Sequence, residues 1–264
     1  MSAAGSRAPV AVDPEPFDLG AGDDAVLCLH GLTGTPYEVR PAAEALAARG
    51  LRAVGPRLPG HGGRPEELVL TRVEDWFAAV GEAHRALCAR HRRVSVLGLS
   101  LGGLLGLALA SETRVDALAV MGTPLRLRSR GLWLLPLVKP IFPLLAKRGG
   151  SDIRDAAARA RHPSMPVMPS ASIQQLIRLQ RRVRARLARV NAPILVAHGR
   201  LDSTAAPCDA RRILRSVASP ERELLWLPNS GHVLPVDYDG PELARALGDF
   251  LTRPRPRPGR WEIP

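Results

Sequence analysis

The sequence has no long uninterrupted hydrophobic run. The longest apolar stretch of its 264 residues, 131–146, is broken by three prolines and carries Lys139. A membrane-spanning helix needs about 20 consecutive apolar residues, so this stretch does not predict one. The N-terminus has no apolar segment of signal-peptide length ahead of the proline- and aspartate-containing stretch 9–16. We therefore expect a soluble, cytoplasmic protein.

Cysteine and aromatic residues are also scarce. Cys28, Cys88 and Cys208 are odd in number and far apart along the chain, which favours reduced thiols over a disulfide framework or a zinc site. We expect neither a metal nor a cofactor. Aromatic residues make up 4% of the chain, which is little for a protein that stacks nucleic-acid bases on its side chains.

Lysine is nearly absent although the chain is basic. The formal charge is +12, and Lys139 and Lys147 are the only lysines. A strongly basic chain can bind nucleic acid or an anionic membrane. The use of arginine rather than lysine, together with abundant Ala, Gly, Leu and Pro, indicates a coding bias toward arginine instead. The sequence also shows no recognised nucleic-acid-binding motif. We therefore predict no nucleic-acid partner, and a basic interaction module is kept as an alternative.

Apolar runs that predict strands alternate with segments that predict helices, as in a parallel sheet with crossover helices. The predicted strands are 25–30, 51–55, 94–97, 115–121, 193–198 and 223–227, and the predicted helices are 38–49, 73–91, 101–112, 209–217 and 241–252. Residues 124–190 interrupt the alternation with helical patterns and prolines but no convincing strand. We name 124–190 the cap segment, because we expect it to be an inserted helical cap.

The predicted strands and helices and the composition also divide the rest of the chain. We expect 25–123 and 191–252 to form one domain, which 264 residues suffice to fill with a sizeable core. Residues 1–24 are an N-terminal segment, and 253–264 are a basic tail rich in proline and arginine. The tail resembles a solvated polyproline segment.

A serine lies at a sharp turn between a predicted strand and a predicted helix. The segment Gly98-Leu99-Ser100-Leu101-Gly102 follows the apolar run that ends at residue 97. Such a turn holds the serine backbone in a strained conformation and keeps Oγ clear of the sheet, while the flanking glycines let the two arms approach. We therefore predict a nucleophile elbow with Ser100 as the nucleophile.

A serine hydroxyl needs a general base, and that base needs an acidic group to orient it. Functional groups of a parallel sheet gather at the carboxyl ends of its strands. Asp202 follows the predicted strand 193–198, and His232 follows the predicted strand 223–227. Because the chain order Ser, Asp, His is that of an α/β-hydrolase, we predict a catalytic triad of Ser100, His232 and Asp202.

Other histidines and aspartates compete for these two positions. The histidines that we interpret as structural, surface or turn residues are His61, His84, His91, His162 and His198. Asp209 is placed at a helix start, where an aspartate complements the helix dipole. Asp237 and Asp239 lie close to His232 in sequence, and Asp237 is left as a residue that assists from nearby.

Hydrolysis through a tetrahedral intermediate also needs two donors for the oxyanion. We predict the backbone N–H of Leu101, which follows the nucleophile at a helix N-terminus. The second donor is predicted to be the backbone N–H of Leu32, in the glycine-containing loop 30–34 after the first predicted strand.

The chain resembles the small bacterial carboxylesterases and monoacylglycerol lipases over nearly all of its length outside the cap segment. The segments that carry the resemblance are His30-Gly-Leu-Thr-Gly-Thr-Pro36, Pro56-Arg-Leu-Pro-Gly-His-Gly62, Gly98-Leu-Ser-Leu-Gly-Gly103, Ala197-His-Gly-Arg-Leu-Asp202 and Asn229-Ser-Gly-His232. The resemblance implies an α/β-hydrolase fold, with a mostly parallel central sheet, helices on both faces and a helical cap before the acid-bearing strand. It also implies a serine esterase without a cofactor.

Two positions depart from the pattern of that family. Leu32 stands where these enzymes usually carry phenylalanine, which changes the shape of the pocket more than its competence, because the backbone acts. Residues 165–170 contain only apolar residues, prolines and serines where the monoacylglycerol lipases carry an acidic residue for the glycerol head. This second departure favours simpler esters over glycerides.

The expected function is hydrolysis of short- to medium-chain carboxylic esters through an acyl-enzyme intermediate. A monoacylglycerol lipase, a thioesterase and an acyltransferase are alternatives with the same machinery, and a small-molecule binder with a vestigial triad is an alternative of another class. The apolar run 132–145 is expected mostly to pack the cap onto the core and partly to line the pocket. We expect a small-molecule ester as partner and a monomer or homodimer. The basic amphipathic helix 173–190 leaves weak contact with a membrane surface open.

Overall fold

The computed structural model of the protein describes residues 12–127, 142–147 and 149–255. The strands are β1 Phe17–Leu19, β2 Asp24–Leu29, β3 Arg52–Gly55, β4 Arg93–Leu99, β5 Leu118–Met121, β6 Leu144–Ala146, β7 Val167–Pro169, β8 Ile194–Gly199 and β9 Arg222–Leu227. The α-helices are α1 Arg40–Ala47, α2 Pro65–Leu70, α3 Val73–Cys88, α4 Leu101–Ala110, α5 Ala156–Arg161, α6 Ser170–Arg186, α7 Cys208–Ser216 and α8 Gly240–Leu251. None of the helices in these ranges is long and apolar enough to cross a membrane.

Seven strands form one sheet in the order β1-β3-β2-β4-β5-β8-β9. Six of them run parallel, and β1 pairs antiparallel with β3 at the edge. The predicted fold class, a mostly parallel sheet with helices on both faces, is therefore confirmed. The sheet begins earlier than the predicted boundary at residue 25, because β1 lies within the N-terminal segment.

The central strand β4 supplies side chains to both faces of the sheet. Val94 and Val96 belong to one buried cluster, whereas Leu97 and Leu99 belong to the other. Successive side chains of a strand point to opposite faces, so a strand covered on both sides has a continuous apolar sequence. The helix that follows, α4, is buried at every residue, and this explains why it is apolar on all sides.

The cap segment contains a strand pair that the sequence analysis did not predict. β6 and β7 form a two-stranded antiparallel ribbon, so the expectation of no strand in 124–190 was wrong. Each strand has three residues, too few to show an alternating pattern. Proline at 169 within β7 also removes a backbone donor, which normally argues against a strand.

The helix α6 of the cap segment packs on the core of the sheet domain. Leu176, Leu179 and Val183 of α6 are buried in the same cluster as the side chains of α4. Most of the apolar run 132–145 lies outside the described residues. Within its described part, the Phe142 residue is 57% exposed and Leu144 is 36% exposed, so these two do not pack inward as expected.

Candidate active site

The turn between β4 and α4 has the geometry predicted for a nucleophile elbow. Ser100 has φ 54° and ψ −108°, in the region that side chains with a Cβ rarely adopt. A Cβ at Gly98 would lie 2.3 Å from the carbonyl oxygen of Gly102. Only glycine therefore permits the strand to approach the helix this closely, and the approach lifts Ser100 above the sheet edge.

The structure brings the three predicted site residues together at the carboxyl ends of β4, β8 and β9. Ser100 Oγ lies 2.9 Å from Nε2 of His232, and Nδ1 of His232 lies 2.9 Å from Oδ2 of Asp202. His232 is 8% exposed, and so is Asp202. A hydroxyl, an imidazole and a buried carboxylate thus form a continuous hydrogen-bonded chain.

Asp202 has every acceptor position filled. Its Oδ1 accepts the backbone N–H groups of Thr204 and Ala205 at 2.9 and 2.7 Å. Its Oδ2 faces His232 and also Nε2 of His198, which lies 3.0 Å away. His198 was predicted from the sequence only to be a structural or surface residue, although its spacing of four residues from Asp202 at a strand end was an available signal.

Asp202 and His232 each shift the pKa of the other. Burial opposes ionisation of Asp202, but the charge of His232 and hydrogen bonds from His198 and His232 outweigh burial, so the pKa of this carboxyl is well below its usual range. Burial likewise opposes protonation of His232, but the Asp202 carboxylate outweighs it and the pKa of His232 is raised. The imidazole is therefore a stronger base than a free histidine.

Two further aspartates hold the loop that carries His232. Asp237 accepts the backbone N–H of Gly231 at 2.8 Å, and Asp239 accepts from the backbone and side chain of Asn229 and from Ser230 Oγ. Asp237 thus holds the backbone of this loop, and its assistance in catalysis stays a prediction. Neither aspartate replaces Asp202 beside the imidazole.

Asp152 of the cap segment also touches both catalytic loops, and sequence reasoning missed it. Its carbonyl oxygen accepts the N–H of His232 at 2.8 Å. Its carboxylate accepts the backbone N–H and the hydroxyl of Ser203, each at 2.8 Å, and lies 3.2 Å from Thr204 Oγ1. We define the stretch 150–155 as the strap, since Arg154 and Asp155 also donate backbone N–H groups to Asp237.

The loop that carries Leu32 lies directly against the nucleophile. A Cβ at Gly31 would be 3.6 Å from the Cβ of Ser100. Leu101, the other predicted donor, is the first residue of α4, where backbone N–H groups have no partner within the helix. Both predicted oxyanion donors therefore belong to segments that flank Ser100.

The remaining histidines near the site have structural partners. Nδ1 of His61 donates to the Pro59 carbonyl over 3.0 Å, which confirms its predicted role in a local turn. Burial, and then the charge of His30, lower the pKa of His61 to about 3. His30 Nε2 accepts the backbone N–H of Leu58 at 3.1 Å. Within the described residues, no group of three His, Cys, Asp or Glu side chains has the geometry of a metal site.

Comparison with known proteins agrees with this geometry. The family model Hydrolase_4, described as serine aminopeptidase, S33, matches residues 21–239. The chain belongs to the Hydrolase_4 family. It is 33% identical over 245 residues to the thermostable monoacylglycerol lipase of Bacillus sp. (strain H-257), covering 93% of this chain and 97% of that protein. It is 28% identical over 243 residues to the carboxylesterase of Bacillus subtilis (strain 168), covering 92% and 98%.

Solved structures share the fold over about nine-tenths of this chain. The structure described with LipS and LipT, two metagenome-derived lipolytic enzymes, has a TM-score of 0.85 and 32% identity, covering 91% of this chain and 98% of that chain. The monoacylglycerol lipase of Paleococcus ferrophilus has a TM-score of 0.77 at 19% identity, covering 89% and 97%. The second likeness establishes the fold alone.

Proposed function

We propose that this protein is a serine carboxylester hydrolase in which Ser100, His232 and Asp202 are the catalytic triad. The observation that carries the proposal is the hydrogen-bonded chain from Ser100 Oγ through His232 to Asp202, with both links at 2.9 Å. The strained elbow at Ser100 supports it. Membership of the Hydrolase_4 family, with relatives named as esterase and lipase, agrees with this activity.

The geometry supports acyl transfer through the serine. His232 Nε2 takes the Ser100 proton as Oγ attacks the ester carbonyl carbon, and the N–H groups of Leu32 and Leu101 hold the resulting oxyanion. The intermediate then expels the alcohol oxygen, which takes the proton from His232 and leaves the acyl group on Ser100. A water molecule gives a proton to His232 and attacks the acyl carbon. The second tetrahedral intermediate then collapses, Ser100 Oγ takes the proton back from His232, and the carboxylic acid is released.

For the substrate, we propose short- to medium-chain carboxylic esters. The residues 165–170 carry no acidic side chain that would bind a glycerol head. A monoacylglycerol lipase is the second candidate, because the Bacillus sp. relative with that name is 33% identical over nearly the whole chain. Thioester hydrolysis is the third, since the same triad would serve it.

We propose that residues 124–190 cover the site, since the strap within them touches both catalytic loops. A cytoplasmic location agrees with three free cysteines, two of them exposed, because reduced thiols are typical of that compartment.

Hydrolysis of p-nitrophenyl esters from acetate to palmitate tests the proposal, with a monoacylglycerol and an acyl thioester in the same panel. We expect activity that is greatest on the shorter esters and falls by about four orders of magnitude or more in Ser100→Ala. Ser111→Ala, at the other end of α4, is the matched control and should retain wild-type rates. Full activity in Ser100→Ala would overturn the triad, and a preference for the monoacylglycerol would favour the lipase.

A further inference from the structure

A buried carboxylate lies beneath the loop that carries Leu32, and the proposed mechanism does not use it. Glu38 ends a short 3-10 turn, Pro36–Glu38, and is 4% exposed. Its Oε2 accepts the backbone N–H of Gly31 at 2.7 Å. Gly31 is bonded directly to Leu32, so this hydrogen bond orients the peptide unit that precedes the proposed oxyanion donor.

The other oxygen of Glu38 faces the cap segment. Oε1 lies 3.1 Å from Nε2 of His162, and both side chains are buried. On its far side, Nδ1 of His162 lies 2.7 Å from Ser151 Oγ, which in turn lies 3.1 Å from Ser164 Oγ. A buried carboxylate of the core is therefore connected to the cap segment by a chain of polar groups that ends at two partly buried serines.

A second set of contacts ties the cap segment to the same loop at Thr33. The carbonyl of Thr33 accepts the N–H of Met165 at 3.0 Å. Its hydroxyl donates to the carbonyl of Leu32 at 2.5 Å and accepts a hydrogen bond from Lys147 Nζ. Thr33 has φ 64°, a conformation that costs energy outside glycine, and these contacts hold it there.

We infer that Glu38, held by His162 of the cap segment, is a positioning residue that sets the orientation of the oxyanion loop 31–34. The inference rests on the proposed function, and Glu38 acts through the backbone of Gly31 rather than on the reacting atoms. It gives the cap segment a part in stabilising the transition state besides covering the site. Donors of an oxyanion hole act by preorganisation, and losing one lowers turnover by about a hundredfold or more.

The charges around Glu38 are arranged to keep it ionised. Burial alone would raise the pKa of this carboxyl, but His162, then His30 and the N–H of Gly31, lower it to about 2. Burial lowers the pKa of the Lys147 ammonium, while the charge of Glu38 opposes that shift. The buried negative charge thus has the backbone N–H of Gly31 as a donor, the His162 imidazole 3.1 Å away and a nearby cation, as burial of a charge requires.

Two variants disturb this arrangement in different ways. Glu38→Gln keeps the size and one acceptor but removes the charge that attracts His162. Gly34→Ala keeps Glu38 and adds a Cβ that would lie 2.2 Å from its carboxyl group, so the flexible carboxyl end must move and the fold survives. Glu44→Gln, exposed on α1, is the matched control for loss of one negative charge.

The measurements are kcat/KM on p-nitrophenyl butyrate and the affinities of two inhibitors of equal length. A trifluoromethyl ketone forms a tetrahedral adduct with Ser100 and needs the oxyanion hole, whereas the methyl ketone binds without an adduct. We expect Glu38→Gln and Gly34→Ala to lower kcat/KM and trifluoromethyl ketone affinity in parallel, by about ten- to a hundredfold. Methyl ketone affinity should stay within about twofold, and Glu44→Gln should resemble the wild type.

His162→Gln tests the link to the cap segment. It should show the same selective loss as Glu38→Gln, and the double variant should lose less than the product of the two single losses. Unchanged kcat/KM and ketone affinities in Glu38→Gln and Gly34→Ala would overturn the inference, even if thermal stability fell. A wild-type protein with no hydrolysis and no trifluoromethyl ketone adduct would instead refute the proposed function, and the inference with it.

Discussion

One carboxylate, Asp202, serves two imidazoles. Its Oδ2 lies 2.9 Å from Nδ1 of His232 and 3.0 Å from Nε2 of His198. A donor from His198 withdraws negative charge from the oxygen that faces His232, and two backbone N–H groups fill the other oxygen. The carboxylate is therefore fixed in orientation, and it in turn orients the imidazole ring toward Ser100.

The pH dependence of hydrolysis follows from the charges beside His232. Burial lowers the pKa of this imidazole, but Asp202 and then Asp152 raise it, and the balance is a raised pKa. The base acts only when neutral, so kcat/KM should fall as the pH drops through a midpoint above about 6.5, the ordinary histidine value. A pH profile of kcat/KM on p-nitrophenyl butyrate measures this midpoint.

Asp152→Asn should move that midpoint to lower pH, because it removes a negative charge that favours the imidazolium. The amide still offers an acceptor oxygen to Ser203 and Thr204, so the variant should fold. Asp249→Asn, on the exposed face of α8, is the control and should leave the profile in place. A midpoint below about 6.5 in the wild type would contradict this reading of the site.

At the scale of elements, Asp237 joins the strap to the loop that carries His232. This carboxylate accepts backbone N–H groups from Arg154, Asp155, Gly231 and Tyr238, each over 2.8–2.9 Å. It is 5% exposed. Because it joins a cap-segment stretch to the loop of a triad residue, the two elements are expected to move and unfold together.

Asp237→Ala should therefore destabilise the protein and lower activity. Several buried N–H groups would lose a charged acceptor, for which we expect a loss of about 3 kcal/mol in the free energy of unfolding, measured by urea denaturation. Asp249→Ala removes a carboxylate from an exposed ion pair with Arg49 and should change stability by less than about 1 kcal/mol. Equal effects of the two variants would mean that the strap is not held by Asp237.

At the scale of the whole molecule, apolar clusters cover both faces of the sheet and leave some side chains with no exposure to solvent. Cys28 lies in β2 and is buried with 0% exposure, and burial raises the pKa of its thiol. Cys88 and Cys208 are free and exposed. The reactivity of the Cys28 thiol therefore reports on whether the core is intact, whereas Cys88 and Cys208 are accessible at the surface.

The native protein should react with Ellman's reagent at two thiols, and at the third only after unfolding in urea. Cys88 should react more slowly than an ordinary thiol, because burial raises its pKa and the thiolate is the reactive form. The double variant Cys88→Ser, Cys208→Ser should show no native reactivity. Rapid reaction of three thiols in the native wild type would show that the core around β2 opens.

Much of this organisation was readable from local patterns. The parallel sheet follows from buried apolar runs such as β4 and β5, which have seven and four residues and are too short to be typical helices. The three-residue strands β1, β6 and β7 were missed because their stability comes from pairing with distant chain, and no local pattern records that. The helix α2 was missed as well, because its six residues directly follow a stretch rich in proline and glycine and are too few to show a helical period.

By itself, the sequence determined the fold class and the order of the site residues. The glycines around Ser100 are required by a turn that closes locally, and the positions of Asp202 and His232 follow from the ends of two strands. Only the tertiary structure decided which side chains hold these residues in place. The backbone carbonyl of Asp152 reaches His232 across 80 residues of chain, and His162 reaches Glu38 across 124. Contacts of this kind bury polar groups against partners that are distant in sequence, and they depend on packing that no short stretch encodes.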